Sequence, residues 1–399
     1  MKVLLIGNYA PDDQKSMVAF TAMLERELPR LGCEVRVRAP QPALVGLPMP
    51  GRLRKWAGYL DKFVLFPPTL GADARWADVV HVCDHSNAMY LPRLHGHAAA
   101  VLTCHDVIAI RAARGLVTDW HTGWSGRVFQ RLIGNGFAHA DRIACISEAT
   151  RSDVLTLGLA PAERLTLVPH GLNNEFGPLP DVQVREQLAG FGVSPDDAYL
   201  LHVGHEHPRK NRMAVLRAFV ALQQAGAAAP VRSLVFVGSA LTQEMIALVA
   251  SQPDLARRVH VLRDVSHERL RALYCGATAL LFPSLQEGFG WPIIEAQACG
   301  CPVFTSDLPP LNEIGSAAAV YVDPRDPAAI ARAIAAAAPR LADMRRQGVD
   351  NAAKFAPGLM AAHFVSAYRR VIDADQPKAA GTPAKAPELG IPDSEPGQR

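Results

Sequence analysis

A chain of 399 residues with 49% hydrophobic content is long enough for two or three domains, each with its own core. Its 41 basic and 38 acidic residues leave a net charge of +3, so no overall field argues for a nucleic-acid partner. No run of about eighteen apolar residues occurs, which argues against a membrane-spanning helix. The strand-like stretch 1–8 is too short and too soon interrupted for a signal peptide. The seven cysteines are an odd set, and Cys83, Cys104 and Cys145 lie in apolar strand-like runs. They read as reduced core residues of a cytosolic protein. Cys299 and Cys301 have neither a second pair nor nearby histidines to complete a zinc site.

In chain order, residues 2–7 form a short apolar run, read as a buried first strand. Residues 16–31 show helical spacing through Val18, Met23, Leu24, Leu28 and Leu31, with Gly32 as the stop. Ser16 is placed to cap that helix. A second strand is expected at 33–38. The stretch 41–72 is irregular and proline-rich, with one helix at 52–66. There Leu53, Trp56, Ala57, Leu60, Phe63 and Val64 share a face, and Arg52, Arg54, Lys55 and Lys62 lie on or beside the other. This pattern fits an interfacial helix resting on anionic headgroups, and equally a helix packed on the first domain with its basic side solvated. Further strands are expected at 79–83, 99–104, 142–146 and 165–168, separated by helix-like stretches, which points to a doubly wound parallel sheet. The second half repeats the alternation with strands at 199–203, 234–237, 259–262, 277–282 and 302–305. Gly and Pro cluster near 177–181, the expected link between two Rossmann-like halves. Residues 328–348 read as an alanine-rich helix and 360–372 as another, with Phe364, Tyr368 and Ile372 on one face. From 376 onward, prolines among small and charged residues suggest a disordered tail.

The stretch 282–302, FPSLQEGFGWPIIEAQACGCP, carries the chemistry. An apolar strand breaks at Pro283, a turn Glu287-Gly288-Phe289-Gly290 follows, and Pro292 is preset for a first helical turn. Gly300 is placed to cap the other end. Turn glycines admit backbone N–H groups close to a ligand, and the helix start adds a positive dipole end, so an anion site is expected at the carboxyl edge of the sheet. Glu287 and Glu295 bracket it. Phosphates in the middle and hydroxyls at both ends describe a nucleotide sugar; a plain strand–helix unit with two solvated glutamates would also fit this local pattern. Arg209 and Lys210, after the strand that Gly204 closes, face the same cleft and suit a pyrophosphate, or are a solvated basic turn. His105-Asp106 ends a strand of the first half and would face the cleft from the other side, unless His105 only bonds a nearby loop. Trp120, His121 and Trp124 form an aromatic group suited to sugar stacking or to a buried staple.

The run E-G-F-G-x-P-x-x-E-A-x-A-C-G-x-P-V resembles the signature of the retaining glycosyltransferases of family 4. The resemblance implies a GT-B fold, two Rossmann-like doubly wound domains facing a central cleft: 1–177 for the acceptor, with a crossing helix 358–375, and 178–357 for the nucleotide sugar. It implies that Glu295 holds the ribose hydroxyls and that Glu287 lies against the donor sugar. The amides of Gly288, Phe289 and Gly290 would contact sugar and diphosphate, and Arg209 and Lys210 the phosphates, with His105 near the reaction centre. It departs from the family after the first strand, where Pro11 to Met17 lacks the usual Gly-Gly pair. Ser147-Glu148 resembles a family strand-to-helix junction and reads as a local cap, and Pro169-His170-Gly171 stands where the family often has Pro-Asn-Gly. The implied activity is retaining transfer of a hexose, GDP-mannose being the first guess, to a glycan or lipid-linked glycan in surface polysaccharide synthesis. No metal is expected, since Arg209, Lys210 and the helix amides replace it. The implied location is cytoplasmic, with a peripheral membrane contact through 52–66 open. A sugar-nucleotide epimerase and a non-catalytic partner subunit remain the alternatives.

Overall fold

A computed structural model describes residues 1–94, 96–117, 122–193, 197–224 and 231–375. Trp120, His121 and the tail from 376 therefore lie outside the described residues. The first half holds strands β1 (Lys2–Ile6), β2 (Glu34–Arg38), β3 (Val79–Val82), β4 (Ala99–Cys104), β5 (Arg142–Cys145) and β6 (Leu165–Leu167). The second holds β7 (Tyr199–Gly204), β8 (Ser233–Gly238), β9 (Val259–Leu262), β10 (Ala279–Phe282), β11 (Val303–Ser306) and β12 (Ala319–Val322). Their orders are β2-β1-β3-β4-β5-β6 and β12-β11-β10-β7-β8-β9, and each pairing is parallel. These are two Rossmann-like α/β units, as the alternation implies. Central strands are buried on both faces, hence the wholly apolar β10 and the mainly apolar β3 and β4, broken only by His81 and Thr103, whereas edge strand β2 alternates.

Each strand order reverses once, between β1 and β3 in one sheet and between β7 and β10 in the other. At such a reversal the neighbouring crossovers leave on opposite faces, opening a crevice beyond the carboxyl ends. The loops after β1 and β3, and after β7 and β10, are thereby singled out by topology.

Some expectations need correcting. Ser16 does not cap the first helix: Lys15–Glu27 starts one residue earlier with Gln14 at the cap position, and the Gln14 side chain is engaged by Asn8 instead. The alanine-rich stretch is two helices, Pro327–Ala337 and Leu341–Ala352, parted at Pro339, which supplies no N–H and crowds the preceding turn. Strand β12 went unforeseen. Lys62 does not belong to a free basic face, because its ammonium pairs with Asp12 at 2.7 Å. The remaining 52–66 residues form the helix Gly51–Leu60, continued by a π-helical turn Asp61–Leu65.

The last helix, Pro357–Asp375, packs against the first sheet: Phe364, Val365 and Tyr368 share a core with Val3, Leu5 and Val101. The Tyr368 hydroxyl meets His81 Nδ1 at 2.7 Å, and His81 Nε2 meets Thr103 Oγ1 at 2.7 Å, all buried. Tyr368→Phe would leave one ring nitrogen unpartnered in the core, a loss of about 1–3 kcal/mol. Urea unfolding of the variant beside wild type measures it, and equal stability would show that this bond adds nothing. Among the described residues, no helix is long and apolar enough to cross a membrane.

Candidate active site

The loop after β7 and the loop after β10 are laced together. Residues Pro208–Lys210 make a 3-10 turn closed by Asn211 in the left-handed region, φ 54°. Asn211 Nδ2 donates to the carbonyls of Pro283 (3.0 Å) and Pro324 (2.7 Å), and the Leu285 amide donates to the Arg209 carbonyl at 2.7 Å. Arg209 Nη1 then reaches Glu287 Oε2 at 2.9 Å and the Gln286 carbonyl at 3.2 Å, and Lys210 Nζ reaches Glu287 Oε1 at 2.7 Å. The Glu287 side chain is only 7% exposed, so both cations are held by one sheltered carboxylate. A Cβ at Gly204 would lie 3.6 Å from the Lys210 stem and 3.2 Å from His202 Nε2; glycine leaves that room.

Gly290 sits at φ 105° ahead of the helix Trp291–Ala298, and a Cβ there would fall 2.8 Å from Leu311. Only glycine tolerates both conditions. A Cβ on Gly288 would lie 2.9 Å from the His105 carbonyl and 3.1 Å from Asp106 Oδ2, so the tip of this loop touches the first half of the chain. Phe289 turns its ring inward onto His170 and Phe355, leaving only its backbone to face a ligand.

Glu295, five residues into that helix, is buried and accepts from the Tyr274 hydroxyl at 3.0 Å. Burial pushes its carboxyl up to about 7, against the pull of Tyr274, Asn173 and Lys210. Tyr274 escapes sequence reasoning because a tyrosine in an amphipathic helix looks like ordinary core.

His105 is also buried. Its Nε2 lies 2.7 Å from the Cys83 carbonyl, which can only accept, so Nε2 carries the proton and Nδ1 accepts from His170 Nε2 at 2.9 Å. His170 Nδ1 is then a buried lone pair without a partner, and the His170 ring stacks on Trp291 at 4.6 Å. Burial lowers the proton affinity of both imidazoles, keeping them neutral. Both ring nitrogens of His105 are thus committed inside the protein. Asp106 Oδ1 accepts from the Ile108 amide at 3.0 Å, the first N–H of the next short helix.

At the β1–β3 crevice, Asp84 accepts from Asn8, from the Ser86 amide (2.9 Å) and from the Ser86 hydroxyl (2.7 Å), with His85 Nδ1 at 3.2 Å. Burial alone would raise this carboxyl, but His85 and these donors hold it below its usual range. The sequence offered one hint, the polar loop without glycine after β1. Ser147 Oγ caps its helix through the Thr150 amide at 3.1 Å. The Glu148 amide donates to both oxygens of Glu313, at 2.9 and 3.0 Å, a contact between the two halves that no local pattern announces. The Gly171 carbonyl accepts from Trp291 Nε1 at 3.1 Å, which ties the 169–171 stretch to the start of the helix Trp291–Ala298. Trp124 is exposed, away from any staple. Among the described residues, no three His, Cys, Asp or Glu side chains converge as a metal site would require.

Two family models match: "Glycosyltransferase Family 4" over residues 17–176 and "Glycosyl transferases group 1" over 184–354. The O-antigen chain mannosyltransferase B of Escherichia coli is 28% identical over 258 residues, covering 62% of each chain. The serotype-specific mannosyltransferase WbdA of the same species is 28% identical over 312 residues, 71% of this chain but 36% of WbdA. The matches thus span less than two thirds of these relatives. Among solved structures, sucrose-phosphate synthase of Thermosynechococcus elongatus superposes with a TM-score of 0.70 at 20% identity, over 94% of this chain and all of that one.

Proposed function

Since the chain belongs to the family 4 glycosyltransferases with the GT-B fold, we propose that it moves a hexose from a nucleotide diphosphate donor to a hydroxyl of a glycan or lipid-linked glycan in surface polysaccharide synthesis. The observation that carries this is the pair Arg209 and Lys210, fixed on one carboxylate at the β7–β10 reversal beside the start of the helix Trp291–Ala298. A diphosphate entering there meets a guanidinium fork, a point charge and N–H groups around Gly290, all aimed where charge builds as the sugar leaves. Glu295, at the far end, suits the ribose hydroxyls. Two relatives are named mannosyltransferases, and GDP-mannose is the donor proposed for the first test.

Retention follows in this reading from attack on the face the diphosphate leaves. The sugar C1–O bond to phosphate breaks, the C1–O bond to the acceptor forms on the same side, and the acceptor proton passes to the departing phosphate oxygen. Both Glu287 oxygens receive cations, which suits a positioning role better than that of a nucleophile. The cations stand where a divalent metal would otherwise neutralise the diphosphate, so transfer is expected without one. Seven free cysteines, six of them buried, suit a reducing compartment such as the cytoplasm.

Incubation with a panel of nucleotide sugars and glycan acceptors tests the reading. Transfer of mannose from GDP-mannose, undiminished by excess chelator, is the expected result. An epimerised sugar formed without acceptor, or no turnover of any donor, would overturn it. Loss on chelation with recovery in magnesium or manganese would overturn the metal-free part alone.

A further inference from the structure

The helix Trp124–Gly136 carries two adjoining stripes. Trp124, Val128 and Leu132 repeat every four residues and are all exposed, Trp124 at 82%. Arg127 and Arg131 flank them. On the inner side Phe129 meets Tyr59 at 6.3 Å and Phe63 at 5.5 Å, which fixes this helix beside Gly51–Leu60 and its π-helical continuation. That neighbour has an outer stripe of its own, Leu53, Trp56, Leu60 and Val64, with Trp56 63% exposed. Single exposed apolar residues are ordinary, but seven on two joined helices form a patch that asks for a partner.

Charge indicates which partner. The exposed ionic side chains of these two helices are Arg52, Arg54, Lys55, Arg127 and Arg131. The one carboxylate in either segment, Asp61, is buried and accepts from Tyr9 and from the amides of Leu44 and Val45. Beside the apolar stripe lies a 550 Å³ cavity lined by Arg114, Arg127, Gln130, Arg131 and Asn135, among others. Arg114 and Arg127 each spend one N–H on a backbone carbonyl, at 2.8 and 3.1 Å, which holds their forks in place. Each guanidinium has five donors, so most still point elsewhere. Three cationic forks next to an apolar stripe match an amphiphile with a phosphate head. Tyr9, just after β1, bonds Asp61 at 2.7 Å, so the patch hangs from the crevice edge of the first sheet.

We propose that this face docks on an anionic bilayer, with a lipid phosphate seated in the arginine cavity between Arg114, Arg127 and Arg131. It extends the contact expected from 52–66 to a second helix and does not depend on the donor assignment, because binding is read without turnover. The test is flotation of the full chain with phosphatidylglycerol–phosphatidylcholine vesicles and with phosphatidylcholine alone. Wild type should float with the first and stay below with the second. Each cation near such a surface contributes about fivefold, so Arg114→Gln/Arg127→Gln/Arg131→Gln should partition on the order of a hundredfold less. Trp56→Ser/Trp124→Ser should also stay below. All five positions are at the surface or the cavity wall, and an unchanged melting temperature shows that each variant is folded. Flotation of the arginine variant equal to wild type would overturn the phosphate seat. Absence of flotation by wild type would overturn the docking face, including the case where the chain self-associates in ultracentrifugation. Thermal protection by inorganic phosphate without vesicle binding would likewise overturn it, leaving a soluble-phosphate site.

Discussion

Arg209→Ala and Lys210→Ala are each expected to lower kcat about 10²–10³-fold with the melting temperature nearly unchanged. Donors and charges placed in advance around developing charge are the largest single source of rate acceleration, and losing one typically has an effect of that size. Arg209 is about one third exposed, so its ion pair with Glu287 adds little to folding. The two cations share Glu287 and are proposed to act on one diphosphate, so the double variant should lose less than the product of the single losses. Initial rates at saturating donor decide the matter. A loss below tenfold in both single variants would remove them from the leaving-group site.

Glu295→Gln is expected to make the ligand-free protein more stable at pH 8 while weakening nucleotide binding ten- to a hundredfold. The sign follows from burial. The folded carboxyl holds its proton up to about 7, above the ordinary value of 4.5. Its stabilising contribution is therefore complete below pH 4.5 and is lost as pH rises through 7, on the order of 3 kcal/mol in all. Glutamine has no charge to desolvate and so escapes that loss. It would also surrender the charge-assisted bond proposed to the ribose hydroxyls, about 1.5–3 kcal/mol, which sets the fold-change in affinity. Wild-type affinity for GDP should rise between pH 6 and 8 as the carboxylate forms, and that of the variant should stay flat. Melting curves at pH 5 and 8 with and without GDP carry both halves. Equal protection of both proteins by GDP would sink the assignment.

What could be read from the chain was what is local. Gly290 and Pro292 announce a turn and a helix start because each tolerates a backbone that few residues accept, and Gly300 ends that helix at φ 70°. Buried strands such as β3 and β4 show as apolar runs. Strand β12 did not, since Ala319–Val322 follows alanines, lies at a sheet edge and stays half-exposed. Contacts far apart in sequence left no local trace: Tyr274 on Glu295, Glu313 on the Glu148 amide, and Asp12 on Lys62. Periodicity found the apolar stripe through Trp56 and Leu60, but not which side turns inward. The inner side is made by Ala57, Gly58 and Asp61, small or bonded residues that leave the larger ones in solvent.

The packing of Phe364 and Tyr368 against Val3, Leu5 and Val101 sets an order of events during synthesis. At about 5–20 residues per second, the ribosome completes β6 roughly ten to forty seconds before the final helix emerges. Until then one apolar face of the nascent first sheet is covered only in part, by Phe20, Met23 and Leu24 of the helix Lys15–Glu27, and the remainder is open to chaperones or to wrong partners. A gene split in the 177–181 link would make that state permanent for the first fragment. Only a fragment with residues 357–375 joined to its end carries the cover for its own core.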